Sequence, residues 1–201
     1  MCALVKVRSK EDPFVSDARI EAAMFRDTDA KPGSELPVWR RHPQSNAITS
    51  ATLRWGLIPH WMKARPEITP INARAETVAD KRMFADAYVK RRCIVPMDAF
   101  YERDKGKKLH AFAMKDGKPF GVAGIWENWR NADGEWERTF CIITVPANEL
   151  VGAIHDRMPA IIPIGQHPRW LGTEPDPRDL LAPFPADQMK ALPRKTRRRG
   201  G

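Results

Sequence analysis

The sequence has few cysteines and no long apolar run, and each shortage excludes a class of protein. Cys2, Cys93 and Cys141 are too widely spaced to form a CxxC pair, so zinc-binding and thiol-redox motifs have no support. No apolar run approaches the roughly 18 residues that span a bilayer. The N-terminus also lacks the apolar segment of a signal peptide. We therefore expect a cytoplasmic protein that makes no membrane contact.

The chain shows no internal repeat and, apart from its basic end, no segment of low complexity. Its 201 residues suit one domain, which can bury about 70% of its unfolded surface without a disulfide or metal. Hydrophobic residues make up 42% and charged residues 29%, a balance that excludes bulk disorder. We expect one domain over residues 1–192 and a basic, disordered tail over residues 193–201.

Positive charge is concentrated at the C-terminus. The formal net charge is +9, and the last eight residues contain Arg194, Lys195, Arg197, Arg198 and Arg199. A polyanionic partner would explain this tail, but so would a solvated end that aids solubility. Both interpretations stay open.

Short strands dominate the predicted secondary structure, because 18 prolines divide the chain into short segments. Strands are predicted over residues 3–7, 52–58, 93–95, 99–103, 109–114, 120–126 and 136–145. Apolar spacing predicts helices over residues 17–25, 79–89 and 147–153, with further short helical pieces after residue 170. Residues 27–36 are rich in turn formers and predict a loop.

Two Asp-Gly pairs, Asp116-Gly117 and Asp133-Gly134, separate strand-like segments. Such pairs accept positive φ and are typical of hairpin turns. The middle of the chain is therefore predicted to be an antiparallel meander. The fold class is α+β: a β-rich single domain with a barrel-like antiparallel core flanked by short helices.

Cys2 offers chemistry that an internal cysteine lacks. Removal of Met1 would leave an α-amine and a thiol on adjacent carbons. The α-amine has a reference pKa near 7.7–8.0, so part of it is a neutral nucleophile at pH 7. Such an aminothiol condenses with aldehydes, first to a Schiff base and then to a thiazolidine ring. Two alternatives remain: an N-terminal nucleophile hydrolase and a chance cysteine.

Three polar segments stand in apolar surroundings. Asn72 and Arg74 alternate with alanines and would share one side of an extended segment, which suits a phosphate or sugar oxygen. Partial burial of Glu102 would raise its pKa and suit it to proton transfer. His155 can move protons near neutral pH, and Arg157 can hold a phosphate. The alternatives are a capped turn, an edge ion pair and a helix-terminal His, respectively.

An aromatic segment over residues 55–61 completes the candidates. Exposed aromatic side chains can wedge between or stack on nucleobases. Core packing is the alternative, and it is favoured for Trp55.

Together these segments resemble the SRAP (SOS response-associated peptidase) domain family. The resemblance covers residue 2 and residues 52–163 in matching order and approximate spacing. It is carried by Met1-Cys2, Trp55-Gly56-Leu57-Ile58-Pro59 with Trp61, Asn72-Ala73-Arg74-Ala75-Glu76-Thr77, Arg91-Arg92-Cys93-Ile94-Val95-Pro96, Phe100-Tyr101-Glu102, Ala123-Gly124-Ile125-Trp126-Glu127, and Thr144 through Ala147-Asn148 to His155-Asp156-Arg157-Met158-Pro159.

The resemblance implies covalent cross-linking to abasic sites in single-stranded DNA during the DNA damage (SOS) response. It implies that Cys2 is the nucleophile and that the other catalytic residues are Asn72, Glu102 and His155. The DNA contacts it suggests are Arg74, Arg157, Trp55, Leu57, Trp61 and Arg82. It implies no metal and no organic cofactor, a monomer, and a bacterial, nucleoid-associated location.

This chain also departs from the family pattern. Ala3-Leu4 follow the cysteine where Gly-Arg is usual, Arg103 stands where Trp is common, and a basic tail replaces the closing Pro-Val-Ser segment. Two other functions therefore remain in view. One is a cysteine peptidase that removes its own Met1, and the other is a single-stranded DNA-binding module without chemistry.

Overall fold

The computed structural model describes residues 4–7 and 28–193. The strands of these residues are β1 Leu4–Val7, β2 Thr28–Ala30, β3 Glu35–Arg41, β4 Ile48–Trp55, β5 Asn72–Arg74, β6 Arg92–Met97, β7 Ala99–Arg103, β8 Leu109–Met114, β9 Phe120–Arg130, β10 Trp136–Pro146, β11 Arg157–Pro159, β12 Ile161–Ile162 and β13 Met189–Pro193. The α-helices are α1 Ala85–Lys90, α2 Glu149–Gly152 and α3 His167–Trp170, with 3₁₀ turns at Ile164–Gln166, Arg178–Leu180 and Ala186–Gln188.

Five strands pair in a closed ring in the order β10-β4-β3-β6-β9, with β9 returning to β10. Four of the five junctions are antiparallel. A ring with an odd number of strands cannot alternate direction throughout, so one junction must be parallel. That junction joins β4 to β10, through Arg54 with Thr139 and Trp55 with Phe140.

The interior of the ring is apolar. Residues directly opposite each other on paired strands share a face. The inner face therefore carries Val38, Leu53, Trp55, Cys93, Val95, Val122, Phe140 and Ile142, all at most 1% exposed. Trp55 and Phe140 stack with ring centroids 6.4 Å apart. The ring is thus a packed barrel core rather than a channel.

A second sheet has the order β13-β8-β7-β1-β2. Phe100 on β7 lies opposite Phe112 on β8, and their rings stack at 5.2 Å. Phe120, the first residue of β9, meets Phe100 edge-on at 6.4 Å. This aromatic contact joins the second sheet to the barrel.

Arg92 fastens the outer layer to the barrel. Its side chain is 4% exposed and donates to the carbonyl oxygens of Trp170, Tyr88, Gly172 and Glu174 at 2.6–2.8 Å. Burial lowers the pKa of Arg92. Several carbonyl dipoles therefore stabilise one buried guanidinium and hold α1 and the segment after α3 against β6.

The β-rich α+β class and the barrel-like core are confirmed, and most predicted strands recur with shifted ends. The turn at Asp133-Gly134 joins the paired strands β9 and β10, and Gly134 has φ +83°. The turn at Asp116-Gly117 also forms, but the hairpin prediction there is wrong, because β8 and β9 belong to different sheets. The antiparallel meander is likewise interrupted by parallel pairing of β10 with β4 and β5.

The structure corrects two further predictions of secondary structure. The helix predicted over residues 79–89 begins at Ala85, after a series of turns. The loop predicted over residues 27–36 contains β2 and the start of β3. The helix predicted over residues 17–25 and the basic residues after 193 lie outside the described residues. Among the described residues, no helix combines the length and apolarity needed to cross a membrane.

Gly121 gives a test of the packing between β9 and α3. A Cβ at this position would lie 2.6 Å from His167 and 2.7 Å from the Ile94 methyl group. We expect Gly121→Ala to lower the free energy of unfolding by about 1–3 kcal/mol in urea denaturation, because buried atoms must shift. Gly165→Ala is the matched control, since nothing lies within 4 Å of its added Cβ. Equal stability of the two variants would contradict this account.

Candidate functional site

Asn72 and Arg74 lie at one end of the barrel. β5 runs parallel to β10, with Asn72 opposite Ile142 and Arg74 opposite Thr144. Ile142 faces the barrel interior, so both polar side chains share that inner side, while Ala73 is buried on the other. The alternation read from the sequence is therefore present. We call this end, defined by Asn72, Arg74 and Thr144, the proximal mouth.

Arg157 is anchored at the proximal mouth. Its guanidinium makes two hydrogen bonds to the carboxylate of Glu76 and a third, of 2.6 Å, to the Thr144 carbonyl oxygen. The Arg157 side chain is 11% exposed, whereas that of Glu76 is 47% exposed. Hydrogen bonding to Arg157 lowers the pKa of Glu76. Sequence reasoning missed this pair, because 81 residues separate its members.

Glu102 lies on β7 and is 3% exposed. Burial raises the pKa of its carboxyl group, and the positive charge of His155 opposes that rise. Glu102 is therefore a buried carboxyl group with a raised pKa that is electrostatically close to His155. Such a combination of burial and a nearby titratable partner marks a candidate acid–base residue.

His155 follows α2, whose N-cap Asn148 accepts a hydrogen bond from the Val151 N–H. The His155 N–H in turn donates to the Val151 carbonyl at 2.9 Å. The ring Nδ1 lies 3.0 Å from the Arg157 N–H, which donates to it. The same Nδ1 lies 3.2 Å from the Arg157 carbonyl oxygen and 3.2 Å from an Asp156 carboxylate oxygen, so this side of the ring is held by several polar groups.

Cys2 lies outside the described residues and precedes Leu4 by two positions in the sequence. Leu4, the first residue of β1, pairs with Tyr101, the neighbour of Glu102. The described part of the chain therefore begins beside the buried acid.

Two predicted DNA contacts are corrected by burial. Trp55 is 1% exposed and Leu57 is 0% exposed, so neither side chain reaches a surface that DNA can touch. Trp55 instead stacks on Phe140 and donates from Nε1 to the Ile71 carbonyl at 2.9 Å. Trp55 is thus part of the core, and its hydrogen bond holds Ile71, the residue before Asn72.

Trp61 and Arg82 form an exposed pair. The Arg82 guanidinium lies 4.5 Å from the Trp61 ring centroid, and Trp61 is 38% exposed. A cation over an indole face is favourable and keeps both groups available at the surface. Within the described residues neither side chain is hydrogen-bonded or ion-paired to Asn72, Glu102, His155 or Arg157.

A His–Asp pair beside Glu102 was not anticipated. His110 lies opposite Glu102 across β7 and β8, and its Nε2 is 2.8 Å from an Asp104 carboxylate oxygen. Asp104 is two residues beyond Glu102 and therefore shares its side of the chain. The two acidic residues at alternate positions, Glu102 and Asp104, were the sequence feature that could have indicated this pair.

One group of potential metal ligands is present in the described residues: His60, Asp86 and Glu127, whose ligand atoms lie within 4.8 Å of one another. Its carboxylates are already paired with cations. Arg91 binds both Asp86 and Glu127, and Lys90 binds Asp86 at 2.8 Å. Hydrogen bonds from Lys90 and Arg91 lower the pKa of Asp86 to about 2. We interpret the group as an ion-pair network that holds α1 to β9.

The barrel, the polar proximal mouth and the buried acid beside β1 define a class of β-rich, single-domain proteins. The family model "SOS response associated peptidase (SRAP)" matches residues 1–197, and the chain belongs to this family.

Three individual proteins are similar to this chain over most or much of its length. The chain is 34% identical to the abasic site processing protein YoqW of Bacillus subtilis, over 95% of this chain and 91% of that protein. It is 32% identical to the abasic site processing protein HMCES of Gallus gallus, over 65% of this chain and 49% of that longer protein. A crystal structure of a Bordetella bronchiseptica protein superposes with a TM-score of 0.80 at 32% identity, covering 97% of this chain and all of that one.

Glu102 gives a test of the site's electrostatics. Its raised pKa means that ionisation opposes folding as the pH rises above the ordinary glutamate value of 4.5. We expect Glu102→Gln to melt at a higher temperature than the wild type at pH 7, with the difference shrinking toward pH 4. There the wild-type carboxyl group is protonated in both states.

A second measurement separates this effect from general packing. The Glu102 carboxyl midpoint, followed by NMR, should rise further in His155→Ala, because a charge that lowers it is removed. A lower melting temperature of Glu102→Gln at pH 7, or an unchanged midpoint in His155→Ala, would contradict the assignment.

Proposed function

We propose that this protein forms a covalent cross-link to abasic sites in single-stranded DNA through Cys2. One observation carries the proposal: the buried acid Glu102 lies next to the residue that pairs with Leu4, and Cys2 is two residues from Leu4. Relatives named abasic site processing proteins support the same lesion as the substrate.

The chemistry balances without a redox change. Once Met1 is removed, the Cys2 amine attacks C1′ of the ring-opened sugar aldehyde and gives a carbinolamine. Its hydroxyl leaves as water after taking a proton, and an iminium forms. The Cys2 thiol then adds to C1′ and loses its proton. The products are one thiazolidine and one water, and neither metal nor organic cofactor enters the balance.

Glu102 suits the proton-transfer steps. Because burial raises the pKa of the Glu102 carboxyl group, this group keeps its proton to a higher pH than an ordinary glutamate and would deliver it to the leaving hydroxyl. His155, which is electrostatically close to Glu102, would assist opening of the sugar ring. Asn72, on the inner side of β5, would orient the sugar.

Arginines at the proximal mouth would contact the phosphates that flank the lesion. Arg74 is exposed and shares its side of β5 with Asn72. Arg157 has a buried Nε and is held flat against Thr144 by Glu76, so its orientation is set before DNA arrives. Trp61 and Arg82 would offer a stacking surface for a flanking base.

Ring closure explains why a cysteine is suited to this task. A Schiff base at an abasic site promotes β-elimination and strand cleavage. Addition of the thiol removes the iminium and so protects the strand. A lysine or an internal amine lacks the adjacent thiol and would leave the cleavable species. We further propose that the protein acts on DNA as a monomer in the bacterial cytoplasm.

The test uses single-stranded DNA with one abasic site, a denaturing gel and intact-mass analysis. We expect an adduct whose mass is the sum of both partners less one water, formed without borohydride. Cys2→Ala should give no adduct, and Cys2→Ser should give one only when borohydride traps the imine. Cys141→Ala is the control, since that thiol is buried and its pKa is raised by burial.

Glu102→Gln should slow adduct formation by about 10²- to 10⁴-fold at saturating DNA, the usual range for loss of an acid–base group. A borohydride-independent adduct in Cys2→Ser would overturn the thiazolidine mechanism. Cys2-dependent hydrolysis of an unrelated peptide, without an adduct, would favour the peptidase that the family description suggests. Equal affinity for intact and abasic DNA, without an adduct, would favour a binding module.

A further inference from the structure

The end of the barrel opposite the proximal mouth carries a basic and aromatic surface. β9 and β10 continue beyond the closed ring, and the inner-face register places Asn128 opposite Arg138 and Arg130 opposite Trp136. Arg40 on β3 lies on the same inner face, opposite Cys93. We call this end, defined by Arg40, Trp126, Asn128, Arg138 and Trp136, the distal mouth.

Arg40 is a buried cation without a carboxylate partner in the described residues. It is 5% exposed, and its Nη1 makes one long hydrogen bond, 3.5 Å, to the Arg41 carbonyl. Its Nε is buried and makes no hydrogen bond to the described residues. Burial lowers the pKa of Arg40, and the charge of Arg138 lowers it further. A guanidinium in this setting is unfavourable unless an anion joins it.

The surroundings favour an anion with an aromatic group attached. Arg40 lies 4.5 Å from the Trp126 ring, and Arg130 lies 5.8 Å from the Trp136 ring. Trp136 is 62% exposed, and Arg138 is exposed beside it. The Asn128 side-chain oxygen is buried and has no hydrogen-bond partner among the described residues. Alternating arginines and tryptophans are typical of surfaces that bind single-stranded nucleic acid.

The carboxylates of the hairpin do not neutralise this surface. Glu137 lies on the outer face of β10, where it pairs with Arg65 and faces Arg54. Glu135 sits at the turn, where its backbone and side chain bond to Asn131. Neither of these two glutamates is therefore paired with Arg40 or Arg138.

We propose that the distal mouth binds a second stretch of the nucleic-acid strand, with Arg40 and Arg138 on one phosphodiester and Trp136 stacked on an adjacent base. This proposal depends on the proposed function only in taking nucleic acid as the partner; it does not need the covalent chemistry. Arg138 and Thr144 are six positions apart on β10, which is about 20 Å at the rise of a strand. The two mouths are thus distinct sites that a long strand can occupy together.

The test measures binding of undamaged, fluorescein-labelled 30-nucleotide single-stranded DNA by anisotropy between 50 and 200 mM salt. Trp136 and Arg138 are exposed, so Trp136→Ala with Arg138→Ala should fold as the wild type does, which a thermal melt checks. We expect the double variant to bind about 10- to 100-fold more weakly, since a stacked base is worth about 1–3 kcal/mol. The salt slope should fall by about 0.7 for the lost phosphate contact.

Arg178→Ala is the matched control. It removes one exposed arginine that pairs with Asp176 elsewhere on the surface, and it should bind within twofold of the wild type. If the wild type binds the DNA and the double variant binds equally well, the distal mouth is excluded while the proposed function stands. If the wild type binds no undamaged DNA, the distal-mouth proposal fails, whereas the proposed function is refuted only by the absence of an adduct on abasic DNA.

A second arm separates a nucleic-acid phosphate from a free one. Inorganic phosphate, compared with chloride at equal ionic strength, should raise the melting temperature of the wild type and leave Arg40→Gln unchanged. A phosphate effect lost in Arg40→Gln, together with unaltered DNA affinity of the double variant, would overturn the nucleic-acid assignment in favour of a small-anion site.

Discussion

The parallel contact between β4 and β10 is the constraint on which the rest of the molecule depends. An odd ring of strands needs one such junction, and here it occupies only Arg54–Thr139 and Trp55–Phe140. At Gly56, with φ +134°, the chain leaves the ring, and a Cβ there would lie 2.4 Å from the Thr69 hydroxyl oxygen. The rest of β10 is then open to β5. A longer β4 would occupy the edge that presents Asn72 and Arg74.

Local signals predicted much of the fold, and pairing over long distances was the main source of error. The Asp133-Gly134 turn and most strands follow from residue preferences over a few positions. The Asp116-Gly117 turn has the same chemistry, yet its flanking strands separate into two sheets. Turn residues specify a reversal of the chain but not the partner of each strand, which depends on the distant segments β13 and β6.

In the candidate site, too, features that depend on neighbouring residues were predicted and those that depend on distant strands were missed. The alternation of Asn72 and Arg74 and the burial of Glu102 could be read from neighbouring residues. The pairing of Arg157 with Glu76 could not, because it depends on β5 and β11 both lying against β10. Trp55 was misplaced as a DNA contact because an aromatic-rich segment looks alike whether it packs inside a barrel or lies on its surface.

The pairing of β1 with β7 also bears on the order of events during synthesis. Leu4 leaves the ribosome early, but its partner Tyr101 follows only after half the chain. Until Tyr101 has been made, β1 has no β7 with which to pair. The register between these strands is made by the main chain, which does not depend on the side chains that β1 carries. Substitutions along β1 can therefore leave its register with β7 unchanged.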